Sequence, residues 1–379
     1  MKKNTNKTNN RASKAGPLGN GQPREKFPFY IGIDLGDKNC EICVLNQDGE
    51  VKEQLHLRMK SGDLQGYFGA IERSCVALEA GGQSRWVAEL LETCGHQVYV
   101  SNTRKVPYIH DSDDKDDPGD AYKLAELVYF KPRLLHPIQH RSREVQADLS
   151  WIRAREVLVN SRTQLINAVR GISKAFGERL ERCSTESFTG KLASQIPEQI
   201  RAAVAPLLET IDHLNEQIDY YDRMEAHIAQ QRYPKHRLLS QVDGVGVHTA
   251  LCFMLTIGDP TRFEKSRAVG CFLGMRPGRK DSGESKPQLG ITKAGDVFLR
   301  KTLVNCGHYI LGPHGKDSDL RRFGQRICER GGKNAKKRAV IAVGRKLAVL
   351  LHRLWMTGEA YEPLRNSQKV GESRKTVAA

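Results

Sequence analysis

The first twenty-six residues lack an apolar core. They are rich in Lys, Asn, Gly and Arg, which excludes a signal peptide or membrane anchor there and reads as a disordered basic arm. The nine cysteines lack regular spacing and are odd in number, which argues against a disulfide framework and for a reducing compartment. Cys40 and Cys43 form a CxxC without the second pair that a zinc site needs. They also fall in a strand-like run, CEICVLN, where a spacing of three sends side chains to opposite faces.

With 379 residues the chain can build two or three domains. Its net charge is +16 and its pI about 9.4, but acid is scarce outside one stretch. Residues 27–130 carry 10 Lys/Arg against 18 Asp/Glu, a net of −8, so the remainder sums to +24. Such segregation fits a polyanion held by basic segments and presented to an acidic, metal-requiring pocket.

In the acidic stretch, FPFYIGIDLG, CEICVLN and VKEQLHL read as a three-stranded antiparallel meander, with a turn at Gln47-Asp48-Gly49. A helix over about 63–73, the strand SCVALE, a helix around 86–94, the strand QVYV and a helix opened by Asp117 and Asp120 follow. The order βββαβαβα is that of the ribonuclease H-like fold, in which the first strand is central and the fourth lies beside it. Asp34 and Glu79, at the ends of those two strands, then come together. Asp117 and Asp120 share a helix face at i and i+3, although an N-cap followed by Pro118 explains Asp117 equally well. Four carboxylates neutralise two magnesium ions, whose hard charge takes oxygen ligands and whose spacing suits in-line displacement at phosphorus. GIDLG also resembles the first phosphate loop of sugar kinase and actin-type ATPases, but their second glycine-rich loop has no copy after residue 130.

Beyond the acids, helical periodicity runs from about 141 to 176 and again through Leu207, Ile211, Leu214, Ile218, Tyr221 and Ile228, interrupted by Glu225. With a polar stretch at 177–196 between them, the two form either an antiparallel hairpin or a dimerising coiled coil. LLSQVDGVGVHTALCFMLTIGDP carries a helix-hairpin-helix signature, with Gly244 and Gly246 in the turn and helix-start amides available to a DNA phosphate. In FLGMRPGRKDSGESKPQLGITKAG, Ser282 sits beside Arg279 and Lys280 and has the surroundings of an exposed nucleophile at phosphorus; Ser285 competes with it. Lys293 and Arg300 add phosphate-binding charge. Residues 321–353 hold 11 Lys/Arg and one acid, with Lys333, Lys336, Lys337 and Arg338 opening an amphipathic helix suited to nucleic acid. The tail from about Pro363 is polar and reads as disordered.

These stretches together resemble the IS one-ten family of insertion-sequence transposases. The likeness is carried by GIDLGDKNCEICVLNQDG, VALEAGG, KDDPGDAYKLAEL in place of K-T-D-x-x-D-A, and then VDGVGVHTA, IGDPTRF, FLGMRPGRKDSG, TKAGDVFLRKTL and GKNAKKRAVIAVGRKL. Asp116 replaces the usual Thr. The resemblance implies a RuvC-like domain over 27–130 with Asp34, Glu79, Asp117 and Asp120 as magnesium ligands, and a helical coiled-coil region over 131–235. It further implies a mainly helical transposase domain over 236–362 with Ser282 as nucleophile, and a disordered tail over 363–379. The implied partners are donor and target DNA, a non-coding bridge RNA and further copies of the chain as dimer or tetramer, with no membrane, in the nucleoid-bearing cytoplasm of a prokaryote. Two other classes fit parts of the pattern: a Holliday-junction endonuclease using metal-activated water, and a non-catalytic basic scaffold.

Overall fold

The computed structural model describes residues 25–102, 106, 117–280, 285, 287 and 289–367; the basic arm up to residue 24, the residues from 368 on, Ser282 and the side chain of Asp117 lie outside them. The chain divides into two compact units, Met1–His140 and Arg141–Ala379.

The first unit is a mixed five-stranded sheet with helices on both faces. Strands β1 (Tyr30–Leu35), β2 (Asn39–Leu45) and β3 (Val51–Arg58) form the antiparallel meander. Its second turn closes through Asn46, whose side-chain oxygen accepts the N–H groups of Asp48 and Glu50, and through Gly49 at φ 84°. Helix α1 (Ser61–Phe68) leads to β4 (Cys75–Glu79), which pairs parallel to β1, and α2 (Ser84–Thr93) leads to β5 (Gln97–Ser101), parallel to β4. The sheet order is β3-β2-β1-β4-β5, with the first strand central as expected.

Period-two alternation sorts the side chains into two cores. Ile31, Ile33, Val76 and Leu78 pack on Leu64 and Phe68 of α1 and Val87 and Leu91 of α2. Tyr30, Cys75 and Ala77 face the other way, onto Ala121, Leu124, Ala125 and Val128 of α3 (Asp117–Phe130). Cys40 lies in the first core and Cys43 in the second, so the pair cannot share a metal, and burial pushes the Cys40 thiol up to about 11. Residues 132–138 complete this unit rather than the helical region that follows: Leu135 is buried in the α3 core and Ile138 bridges to Val100.

The second unit is mainly helical. α4 (Arg143–Ala175), capped by Ser142, and α6 (Glu198–Arg232) pack within the chain as an antiparallel hairpin. Arg155 forms a bidentate pair with Asp222 at 2.7 and 3.0 Å, and Arg162 reaches Asn215 at 2.7 Å. The connection is less polar in effect than its composition implies. Leu180, Leu192, Ile196 and Phe188, the last on α5 (Phe188–Leu192), bury themselves against Ile166, Val169, Val204 and Ile211. At the other end of the hairpin Leu149, Ile152, Ile228 and Ala229 enter a larger core. That core is built on α8 (Val247–Ile257), buried on every side from Thr249 on, as a helix apolar all round must be. Around it lie α7 (His236–Leu239), α9 (Arg267–Phe272), α10 (Val297–Leu311), α11 (Asp319–Glu329) and α12 (Ala335–Thr357). The apolar stripe of α12, Val343, Leu347, Leu351 and Leu354, is spent on this core and is not free for a membrane surface. Among the described residues no helix is long and apolar enough to cross a membrane.

Residues 363–367, expected from composition to be disordered, are instead held on the start of α11. Asn366 and Ser367 donate to the Asp319 carboxylate at 2.6–2.9 Å, and Asp319 N–H donates to the Pro363 carbonyl.

Candidate active site

Three elements converge on one end of the first unit's sheet. Ile33 pairs with Leu78 in parallel register, so the next residues on the two strands are Asp34 and Glu79. Neighbouring strands lie about 4.8 Å apart, and both side chains share the face on which Ala77 meets α3. Helix α3 crosses that face in tight contact: a Cβ on Gly32 would lie 2.0 Å from the Ala121 carbonyl oxygen and 2.4 Å from the Ala125 nitrogen. Only glycine lets the helix backbone come that close.

The direction of α3 follows from its ends. Tyr129 near its C-terminus packs edge-on to Tyr30 at the start of β1, with ring centroids 5.1 Å apart. The helix therefore runs antiparallel to β1, and its first turn, with Asp117 and Asp120, lies over the end of β1 that carries Asp34. The strand ends are also tied laterally, because Gln83 Nε2 donates to the carbonyls of Gly36 (2.9 Å) and Asp37 (3.1 Å), joining the loops that follow β1 and β4.

The ladder also brings in an acid that motif reasoning passes over. Asp34 stands opposite Glu41 of β2, Glu41 opposite His56 of β3, and Glu79 opposite Ser101 of β5. One transverse row thus reads His56, Glu41, Asp34, Glu79, Ser101. Glu41 shares the α3 face with Cys43, and the alternation in CEICVL was the signal that could have found it.

Like charges on adjacent positions repel unless a cation joins them. Asp120 already has one, Lys123 Nζ at 2.9 Å from its Oδ1, with both side chains mostly buried. The donor set is all carboxylate oxygen, the kind that hard divalent cations take. Among the described residues no three His, Cys, Asp or Glu side chains close a metal site by themselves. The fourth expected acid, the side chain of Asp117, is outside them.

The remaining expected residues belong to the second unit. Gly244 takes φ 82°, and a Cβ there would lie 2.7 Å from the Tyr309 ring, so the turn into α8 requires glycine. Gly246 caps α8 with open space above it. Arg279, Lys280 and Lys293 are exposed. The segment bearing Ser282 joins two paired stems: Gly278 N–H donates to Gly290 O at 2.8 Å, and Thr292 N–H to Arg276 O at 3.0 Å. Ser282 itself is outside the described residues, and Ser285 is exposed. Lys333, Lys336, Lys337 and Arg338 are all exposed at the start of α12. Cations at a helix N-terminus oppose its dipole, so this cluster costs stability rather than adding it.

Arg300 has a different role from the one expected. It is 9% exposed, and its Nη1 donates to the carbonyls of Leu273 (2.9 Å) and Gly295 (3.3 Å), locking the loop before α10 rather than meeting phosphate. The second unit also holds a pair that no single motif spans. Glu225, 1% exposed, accepts a 2.7 Å bond from His248 Nδ1 in the first turn of α8. It is the acid that breaks the apolar spacing of α6.

Comparison with known proteins gives two family profiles. One, for the DEDD domain of IS110 and described as a transposase, matches residues 31–175; the other, described as Transposase IS116/IS110/IS902 family, matches residues 236–321. The chain is 26% identical over 339 residues to the transposase for insertion sequence element IS1111A of Coxiella burnetii, covering 87% of this chain and 90% of that protein. It is 27% identical over 348 residues to a probable family 20 transposase of Pseudomonas aeruginosa, covering 88% and 98%. A putative transposase of Sinorhizobium fredii is 28% identical over 354 residues, covering 91% and 88%.

Proposed function

Because this chain belongs to the IS110/IS1111 family of insertion-sequence transposases, we propose that it cuts and rejoins DNA with the carboxylates of its first unit and the serine of its second. The observation that carries this reading is the register of β1 against β4. It sets Asp34 beside Glu79 at the strand ends, under the helix turn that bears Asp120. The sheet order supports a ribonuclease H-like, RuvC-like reading of this unit.

Asp34, Glu79, Asp117 and Asp120 would hold two magnesium ions, which supply Lewis-acid activation at the scissile phosphate. Ser282 Oγ attacks phosphorus, a new P–O bond forms to serine, and the displaced deoxyribose oxygen leaves and takes up a proton. The resulting serine phosphodiester keeps the energy of the broken bond, so a second strand's hydroxyl can reverse the step and release the serine. Arg279 and Lys280 beside Ser282, with Lys293, neutralise the phosphate that it attacks. Lys333, Lys336, Lys337 and Arg338, with the amides that start α8 behind Gly244 and Gly246, hold backbone phosphates without reading bases. Target choice then falls to a bridge RNA bound by an oligomer of the chain, in which the α4–α6 hairpin acts as linker.

Asp34→Asn and Asp120→Asn are the test. Each should lower magnesium-dependent strand cleavage by more than about 100-fold, above what substitutions behind a metal ligand cost, while DNA binding stays within about twofold. Cleavage that persists in chelator overturns the metal assignment. Sequencing the RNA that co-purifies tests the guide: one defined species supports it, and random host RNA contradicts it.

A further inference from the structure

We propose that the cavity beside the Gly244–Gly246 turn receives one unpaired nucleobase, stacked on Tyr309 and selected by Asp243 for an exocyclic amino group. This rests on reading the second unit as a nucleic-acid surface. The cavity, about 410 Å³, lies between the turn into α8, the loop before α11 and the segment at Tyr361. That volume admits a base with part of its sugar.

Three features select a base over a phosphate or an apolar group. Tyr309 is 44% exposed and lines the cavity, with one ring edge set close to Gly244, which leaves aromatic surface open to the cavity. Bases of every kind stack on such a platform. Asp243 lines the same space. Its Oδ2 accepts the Lys316 backbone N–H at 2.8 Å, and a carboxylate there repels phosphate but accepts from an amino group. The Lys316 ammonium is without a protein partner among the described residues, and Gly246 leaves the α8 amides uncovered, so the sugar–phosphate of the same nucleotide has a place outside. Adenine, cytosine and guanine carry an exocyclic amine; thymine and uracil offer only N3–H, flanked on both sides by carbonyl oxygens that the carboxylate repels.

The test uses the full chain and single-stranded oligonucleotides, DNA and RNA, each with one 2-aminopurine in a thymine or uracil background. Binding should quench its fluorescence. Tyr309→Ala should remove the quenching and weaken binding roughly 10-fold, and Tyr309→Phe, which keeps the ring against Gly244, should retain both. Asp243→Asn should abolish the preference for amine-bearing bases while leaving the quenching. Quenching with RNA alone assigns the pocket to a guide strand and with DNA alone to a substrate strand; either supports it. Equal binding by wild type and Tyr309→Ala, or a wild-type preference for thymine and uracil, overturns it. If duplex DNA binding persists in that case, only the pocket fails; if the chain binds no nucleic acid at all, the surface reading fails with it.

Discussion

The two units treat charge in opposite ways. The first places Glu41, Asp34 and Glu79 on consecutive positions across a sheet, where strand spacing forces them together, and sets Lys123 against Asp120. In the second, the buried acids have partners, Glu225 in His248 and Asp148 in Arg232 and Tyr233, while the buried Arg300 is held by backbone carbonyls. A cluster of exposed cations stands at the first turn of α12. The contrast is one of arrangement: the first unit lines carboxylates along one row of its sheet, and the second sets each buried acid against a donor from another helix.

Breaking a buried pair in the second unit should cost the most. His248→Ala leaves Glu225 buried with neither oxygen bonded, a loss of about 3–5 kcal/mol, measurable as a lowered denaturation midpoint. Replacing both partners with Leu should restore most of it; a double variant no more stable than His248→Ala would mean that the pair is not the source. In the first unit the matching change is steric. Gly32→Ala drives a Cβ into the α3 backbone and should cost about 3 kcal/mol and abolish cleavage, because the helix that carries Asp120 is displaced. Full activity in that variant would break the link between the Gly32 contact and the site.

Most of the first unit could be read from residues alone, because alternation is a local code: Ile31 and Ile33 against Tyr30 and Asp34 already assigns the faces and separates Cys40 from Cys43. Glu41 was not found: alternation in CEICVL puts it on the face of Cys43, but its place opposite Asp34 depends also on register, which the hairpin turn sets. The second unit hid more. Glu225 and His248 lie 23 residues apart and meet only when α6 packs on α8. Arg300 looks like a surface cation until its guanidinium is seen turned back on the carbonyls of Leu273 and Gly295. Leu180 and Phe188 sit in a stretch whose composition is polar, and their burial follows from the hairpin that closes over them.

Smaller effects sharpen the contrast. Removing Lys336 and Lys337 together should reduce the slope of log binding constant against log salt by about 1.8, two phosphate contacts' worth, with no change in thermal stability or a slight gain. An unchanged slope would detach the α12 cluster from nucleic acid. The smallest concerns Asp319. Partial burial alone would raise its carboxyl, but hydrogen bonds from Ser367 and Asn366 hold it below its ordinary value. The stability that this gives is present above the unfolded-state pKa and is lost as pH falls through the lower folded value. Residues 363–367 should therefore gain amide exchange only in that acid window, and Asp319→Asn should show the loosened segment at neutral pH. Equal protection in Asp319→Asn would remove the carboxylate from the account.

The central claim is that the acidic row and Ser282 serve one reaction. Its most direct test is mass spectrometry of peptides after incubation with the element's DNA and magnesium. The wild-type chain should yield a nucleotide phosphodiester on the peptide containing Ser282, absent from Ser282→Ala and lost with Asp34→Asn. Cleavage without any protein–DNA adduct, or an adduct that survives Ser282→Ala, would contradict the claim and favour a metal-activated water.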